Sequence, residues 1–339
     1  MKIWLPHLWS GGGADVFIER LAKGLSALGH EAIAQPLSKS WQFFPWCLKA
    51  VKPPNGTHVT LTTTNIAFTL KRAGIPLVAL EHHCVLDSAY RPYRSAAQAI
   101  YHETLVRWSE LASLKAADAL VAISEYTAAS LYHALGGPKA RVILNGIETD
   151  FFCPRVDPVT NKEQRPFRLL FVGNLIRRKG ADLLPQIMER LGPGYELRYT
   201  SGLRSKDDFA GHPNMKPLGR LTRDQLRNAY REMDILLFPT RLEGFGYAPA
   251  EAMACGTPVV TTDCSSLPEL VDDGVNGVLC PIDDVESFVN AIQNLAADPN
   301  RLLAMGRSAR QKAIGCFSID RMARDYGCLF QDLVQVHTA

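Results

Sequence analysis

The 339-residue chain has no C-x-x-C pair among its eight cysteines, no Asp-x-Asp, no long apolar run, and no acidic residue from Ala32 to Leu80. Each absence excludes something. Cys47, Cys84, Cys153, Cys255, Cys264, Cys280, Cys316 and Cys328 lie far apart, which argues against a zinc site and a redox motif. In a chain of this size they are expected as reduced thiols. Without a run of about 20 apolar residues there is no membrane-spanning helix. Met1–Leu8 lacks a signal-peptide h-region, so a cytoplasmic protein is expected. With no Asp-x-Asp at a strand end, and with Asp272-Asp273 and Asp283-Asp284 in turn-like surroundings, no metal is expected. A net charge of +3 is too small to mark a nucleic-acid binder. The charge is unevenly spread: residues 1–150 carry 14 Lys/Arg against 11 Asp/Glu, and the rest is balanced.

What is present is an ordinary globular composition, 47% hydrophobic and 21% charged, in a chain long enough for about two domains. Strands and helices alternate. Lys2–Pro6 reads as a strand, followed by Gly11-Gly12-Gly13 and a helix with Phe17, Leu21, Gly24 and Leu28 on one face and Gly29 at its end. Val59–Thr63, Leu77–Leu80, Ala119–Ile123 and Arg141–Ile147 are further strands. Ser124 is placed to cap a helix that stops at Gly136-Gly137-Pro138. A polar, proline-bearing linker over Asp150–Pro166 marks a boundary, and the pattern restarts. Arg168–Val172, Glu196–Tyr199, Asp234–Phe238 and Pro258–Thr261 read as strands, and Asp182–Leu191 and Pro249–Cys255 as helices. Apolar strands separated by helices predict parallel sheets covered on both faces. The expected domains are 1–155 and 156–312. A helix in 313–339, carrying Met322, Tyr326, Leu329, Phe330 and Leu333, is expected to return to the first domain.

The chemistry concentrates in the stretch from Phe238 to Val260. There a strand ends, a turn containing Gly244 and Gly246 follows, and a helix opens near Pro249. This is the carboxyl edge of a parallel sheet, where open α/β folds bind ligands. A helix N-terminus with free N–H groups favours phosphate there, and glycines let the backbone approach closely. Glu243 and Glu251 flank the turn and are good acceptors for ribose and sugar hydroxyls. The plainer reading makes Glu251 a complement to the helix N-terminus and Glu243 a solvated loop acid.

That string resembles the E-x7-E motif of family 4 retaining glycosyltransferases, which have the GT-B fold. Glu243 and Glu251 match its two acids. The similarity extends over nearly the whole chain. Gly12-Gly13-Ala14-Asp15 resembles the family's N-terminal Gly-Gly loop. Ala117–Ser124 and Val142–Ile147 are similar to segments ahead of the linker, and Phe171–Gly180 resembles the donor-phosphate strand and loop. The resemblance implies an α/β fold of two Rossmann-like domains whose parallel sheets face a central cleft. It implies transfer of a sugar from a nucleoside-diphosphate sugar to a glycan or lipid-linked glycan, with no cofactor.

Carried over residue by residue, Lys179 neutralises the donor diphosphate, Glu251 binds ribose, and Glu243 contacts the transferred sugar. Gly244, Phe245 and Gly246 form the turn around it, and the Gly219–Leu221 segment contacts the base. The family often has Arg where this chain has Asn174, so Arg177 or Arg178 is expected to supply the second positive charge. Leu77–His83 resembles the strand that ends in an active-site His. His82 is the better match and His83 the fallback. Gly12 and Gly13 either approach the donor phosphates or acceptor or simply permit a tight turn. The implied mechanism is front-face departure and attack, with phosphate charge stabilised by cation and helix. A GT-B-type sugar-nucleotide epimerase and a non-catalytic sugar-nucleotide-binding module are the alternatives.

Trp41, Phe43, Phe44 and Trp46 lie among Lys39, Lys49 and Lys52 in the acid-free stretch. Aromatics with lysines suit an anionic membrane surface, at which the protein would be peripheral. A buried aromatic cluster with solvated lysines is the other reading.

Overall fold

The computed structural model describes residues 1–155, 165–201, 209 and 211–338. Its framework is two sheets of six parallel strands. The first contains β1 (Lys2–Leu8), β2 (Glu31–Leu37), β3 (Val59–Thr63), β4 (Leu77–Glu81), β5 (Ala119–Ala122) and β6 (Arg141–Val142), in the order β2-β1-β3-β4-β5-β6. The second contains β7 (Phe167–Phe171), β8 (Tyr195–Thr200), β9 (Met215–Gly219), β10 (Ile235–Phe238), β11 (Val259–Thr262) and β12 (Gly277–Cys280), in the order β12-β11-β10-β7-β8-β9. The chain is thus α/β throughout. In each sheet the strand order reverses beside the first strand, between β1 and β3 and between β7 and β10. Crossover connections leave in opposite directions there, opening a crevice at the carboxyl ends of the strands.

The central strands form because their residues are apolar on both faces. β10 (Ile-Leu-Leu-Phe) and β4 (Leu-Val-Ala-Leu-Glu) are buried along their whole length, and helices cover them on both sides. Each fully buried Leu, Ile or Phe contributes about 1.5–3 kcal/mol through removal of apolar surface from water. The strands not expected from the sequence, β2, β9 and β12, all stand at sheet edges. β2 alternates between exposed and half-buried residues and contains Pro36, which an edge strand tolerates. β6, also an edge, is only two residues long, shorter than the expected Arg141–Ile147.

Two compact units are formed, Met1–Gly146 with Ser318–Ala339, and Ile147–Phe317. The division falls earlier than residue 155 because the segment after Gly146 is tied to the second unit. Arg310 donates to the carbonyls of Thr149 and Phe152, each at 2.8 Å, and Arg231 donates to the carbonyl of Cys153 at 2.5 Å. Within the first unit, the C-terminal helix Ile319–Thr338 packs on the helix Gly13–Ala27. Its Met322, Tyr326 and Phe330 are fully buried, and Tyr326 meets Phe17 edge-on at 5.9 Å between ring centroids. The helices approach closely at Gly24, where a Cβ would stand 2.6 Å from Ile319 Cγ2. Leu28, expected on the buried face, follows the last helical residue and is 43% exposed. Among the described residues, no helix is long and apolar enough to cross a membrane.

Candidate active site

In the second unit the turns after β7 and β10 are joined at the switch point. The carbonyl of Arg178 accepts from the Arg241 amide at 2.8 Å and the Thr240 hydroxyl at 3.2 Å. The Arg178 guanidinium donates to the Leu242 carbonyl at 2.6 Å. Gly180 closes the join at φ +70°, where a Cβ would collide with the Pro239 carbonyl oxygen at 1.8 Å. This lays Lys179 against Phe238, its Nζ 5.3 Å from the ring centroid, and into an ion pair with Glu243. Glu243 also accepts from the Thr240 hydroxyl at 3.0 Å, and its amide donates to Ser265 Oγ at 3.0 Å. Burial lowers the Lys179 pKa, with Glu243 opposing and Arg178 assisting. Burial would raise that of Glu243, but Lys179 and Arg178 hold it below the usual carboxylate value.

The other residues expected in the donor site lie in the same unit. The helix after the turn runs Tyr247–Ala254, starting before Pro249, with Gly246 at φ +102° as its N-cap. Glu251 therefore lies in its second turn, not its first. The idea that it merely complements the helix N-terminus loses its geometric basis, since that effect fades beyond the first turn. Glu251 is buried and accepts from the Tyr230 hydroxyl at 3.2 Å. Phe245 is buried against Tyr247 and Phe317, and Gly244 is half-buried. Asn174 lies on the exposed turn after β7, and Leu221 is half-buried just before the helix Arg223–Glu232.

Arg241, Ser265 and Ser266 complete the arrangement and were not singled out in the sequence. Arg241 is buried, forks onto Asp182 at 2.7 and 2.9 Å, and reaches Asp283 at 2.6 Å. Those carboxylates, Asp182 first, raise its pKa above the ordinary guanidinium value. Ser266 Oγ donates to the carbonyls of Glu243 at 3.3 Å and Phe245 at 3.0 Å. Ser265 itself is held at φ +50°. Partners lying 22 to 59 residues away are invisible to local pattern.

The first unit carries a cavity of about 310 Å³ at its own switch point, bordered by His7 near the end of β1, Ser10 after it, Thr64 after β3, and Glu81, His82 and His83 at the end of β4. His82 meets Phe17 edge-on at 4.9 Å, and its Nε2 is buried without a hydrogen-bond partner. Burial pushes the pKa of His82 down to about 4, Asp15 opposing and His7 assisting. His83 lines the same cavity, and its amide donates to Glu81 Oε1 at 2.9 Å. Glu81 also accepts from the Thr64 hydroxyl at 2.6 Å. Its pKa is raised by burial against those two hydrogen bonds. The Gly-Gly loop borders the cavity through Ser10 and Ala14. The amide of Gly12 donates to Asp15 Oδ2 at 2.9 Å, as do the amide and hydroxyl of Ser10, each at 3.0 Å. Asp15 thus fixes the loop and the start of the helix, and Gly13 is that helix's first residue.

Comparison with known proteins bears on the family and the fold. The model of the family described as Glycosyltransferase Family 4 matches residues 33–151, and that described as Glycosyl transferases group 1 matches residues 166–298. A D-inositol 3-phosphate glycosyltransferase of Corynebacterium kroppenstedtii is 30% identical over 57% of this chain and 48% of its own length. The lipopolysaccharide core biosynthesis mannosyltransferase LpsB of Rhizobium meliloti is 30% identical over 67% of this chain and 69% of its own length. The chain thus spans between about half and two thirds of these relatives. Among solved structures, a sucrose-phosphate synthase from Thermosynechococcus elongatus superimposes with a TM-score of 0.84 over 99% of this chain and 100% of that one, at 21% identity. HepE of Anabaena in complex with UDP-glucose gives 0.78 over 98% and 100%, at 18% identity. At these identities the likeness is one of fold, and that fold is GT-B.

Proposed function

Since the chain belongs to the group 1, family 4 glycosyltransferases, we propose that it transfers a sugar, with retention of configuration, from a nucleoside-diphosphate sugar to a glycan or lipid-linked glycan. The observation that carries the reading is the buried Lys179–Glu243 pair at the switch point of the second sheet. Lys179, with Arg178 beside it, offers positive charge to the diphosphate. The charge developing on the leaving phosphate is the largest quantity an enzyme of this kind must stabilise. Glu243 accepts from hydroxyls of the transferred sugar and Glu251 from those of the ribose. These cations do the work without a divalent metal. In the first unit, His82 is neutral at physiological pH and can accept or donate a hydrogen bond at the reacting sugar. The leaving phosphate takes the acceptor proton in a front-face reaction.

HepE binds UDP and UDP-glucose, so uridine nucleotides are the first to test. A thermal-shift panel of nucleoside diphosphates and sugar nucleotides should raise the melting temperature for one base. Binding at a concentration 100 times Kd stabilises by about 2.7 kcal/mol. The shift and subsequent transfer should persist in EDTA; a strict requirement for magnesium or manganese would defeat the metal-free part. An epimerase would consume the sugar nucleotide with no acceptor product, and a binding module would not consume it at all.

A further inference from the structure

The cavity of the first unit contains a group that neither its fold nor the roles above require. Glu110 lines its wall, is 3% exposed, and its Oε2 is buried without a hydrogen-bond partner. A buried polar atom left unpaired costs about 1–3 kcal/mol. A leucine of similar size would remove that cost, so packing alone gives no reason for a carboxyl here. The backbone is also unusual at this place. The helical stretch Ala96–Ala116 contains a π-helical turn, His102–Val106, in which the Arg107 amide donates to the His102 carbonyl. Such turns recur at functional sites. Here His102, Val106 and Glu110 all border the cavity, and His102 Nδ1 is a second buried atom without a partner.

The charges facing the cavity select among ligands. Glu81 and Glu110 lie within it, while Lys39 is exposed at its border. The Glu110 pKa is raised well above the ordinary carboxyl value by burial, then by the neighbouring charge of Glu81, with Arg107 opposing. Burial lowers the pKa of His82 to about 4 and lowers that of His102 as well, which disfavours positive charge on either ring. Glu81 has both oxygens engaged, by Thr64 and by the His83 amide. The open hydrogen-bonding capacity therefore includes Glu110 Oε2, His82 Nε2 and His102 Nδ1, beside the already engaged Glu81. Hydroxyl groups satisfy it. A phosphate dianion meets two acidic side chains, Glu81 and Glu110, while the lysine of the lining, Lys39, stays exposed at the border.

Resting on the transferase reading, we infer that this cavity binds the acceptor through an uncharged, hydroxylated group, with Glu110 as the residue that recognises its hydroxyl and sets the preference against a phosphorylated sugar. A volume near 300 Å³ is at the lower bound of ligand sites and suits a single ring.

Saturation-transfer NMR with methyl α-glucoside and methyl α-mannoside, against glucose 6-phosphate and mannose 6-phosphate, tests this on the full chain. Glu110→Leu and Glu110→Gln accompany the wild type. At least one methyl glycoside should bind, and the sugar phosphates should bind ~10-fold more weakly or worse, a difference of about 1.4 kcal/mol. Glu110→Leu should lose ~10-fold in affinity, and Glu110→Gln, which keeps a donor and an acceptor, should stay within ~3-fold. Glu110→Leu should melt no lower than the wild type. Equal or tighter binding of the phosphates, no binding of either glycoside, or unchanged glycoside binding in Glu110→Leu would each overturn the inference. A nucleoside-diphosphate thermal shift on the same three samples reads the donor site separately. Its absence in the wild type would sink the transferase reading while leaving the cavity result standing.

Discussion

The two switch points are built alike and finished differently. At the second sheet nearly every charged group is already matched: Lys179 with Glu243, Arg241 with Asp182 and Asp283, Arg178 with a carbonyl. At the first, His82 Nε2, His102 Nδ1 and Glu110 Oε2 are buried without partners. A paired, rigid electrostatic site suits a ligand of fixed and strong charge such as a diphosphate, because preorganised charge needs no rearrangement when the reaction occurs. An unsatisfied polar cavity suits a ligand that supplies many weak hydrogen bonds. The stability forgone in the first unit is recovered only when that ligand is bound.

The largest expected effect bears on the paired site. Lys179→Ala should leave Glu243 buried without its cation and lower kcat/KM for transfer by ~100-fold or more, with donor affinity falling as well. Steady-state kinetics beside calorimetry of the nucleoside diphosphate measures both. Glu251→Gln should raise the donor KM and leave kcat nearly intact, since ribose is held equally before and during reaction. Equal losses of kcat in the two variants would erase the distinction between charge stabilisation and binding.

Next comes the join that positions Lys179. Gly180→Ala places a methyl inside the Pro239 carbonyl at a left-handed φ, so the turns must part. A loss of more than ~2 kcal/mol in stability, measured by urea unfolding, is expected. A wild-type midpoint would show that this join bears no load.

His82 tests the unpaired site. With a folded pKa of about 4 against roughly 6.5 when unfolded, the unfolded state holds more protons between those values. Stability from this residue is complete above pH ~6.5 and is lost as pH falls towards 4. His82→Gln should flatten that part of the stability–pH curve while lowering kcat. If His83→Gln does both and His82→Gln neither, the active-site His is the second of the pair.

The smallest effect concerns the surface of the first unit. Trp41 packs against the buried cluster of Trp4, Leu48, Ile66 and Leu70, whereas Phe43, Phe44 and Trp46 are 48%, 60% and 48% exposed. The aromatic stretch is thus divided between the two readings of it. We expect modest sedimentation with anionic liposomes at physiological salt, reduced in a Phe44→Ser, Trp46→Ser variant. Equal recovery with neutral liposomes would remove the membrane from the account.

By itself, the sequence determined the alternation of strand and helix, the central strands, the Glu243–Glu251 turn, Lys179 and the His82-His83 strand end. These are local: apolar runs, glycine turns and short motifs read within a few residues. The edge strands escaped because half-exposed strands have weak apolar pattern. The ties of Arg241 to Asp182 and Asp283, the fit of Gly180 to Pro239, the second-turn position of Glu251 and the unpartnered Glu110 were decided only by the tertiary structure. Each depends on which distant segments meet, and on which buried atoms are left without a partner when they do. Burial and pairing are properties of the assembled chain, and no window of sequence contains them.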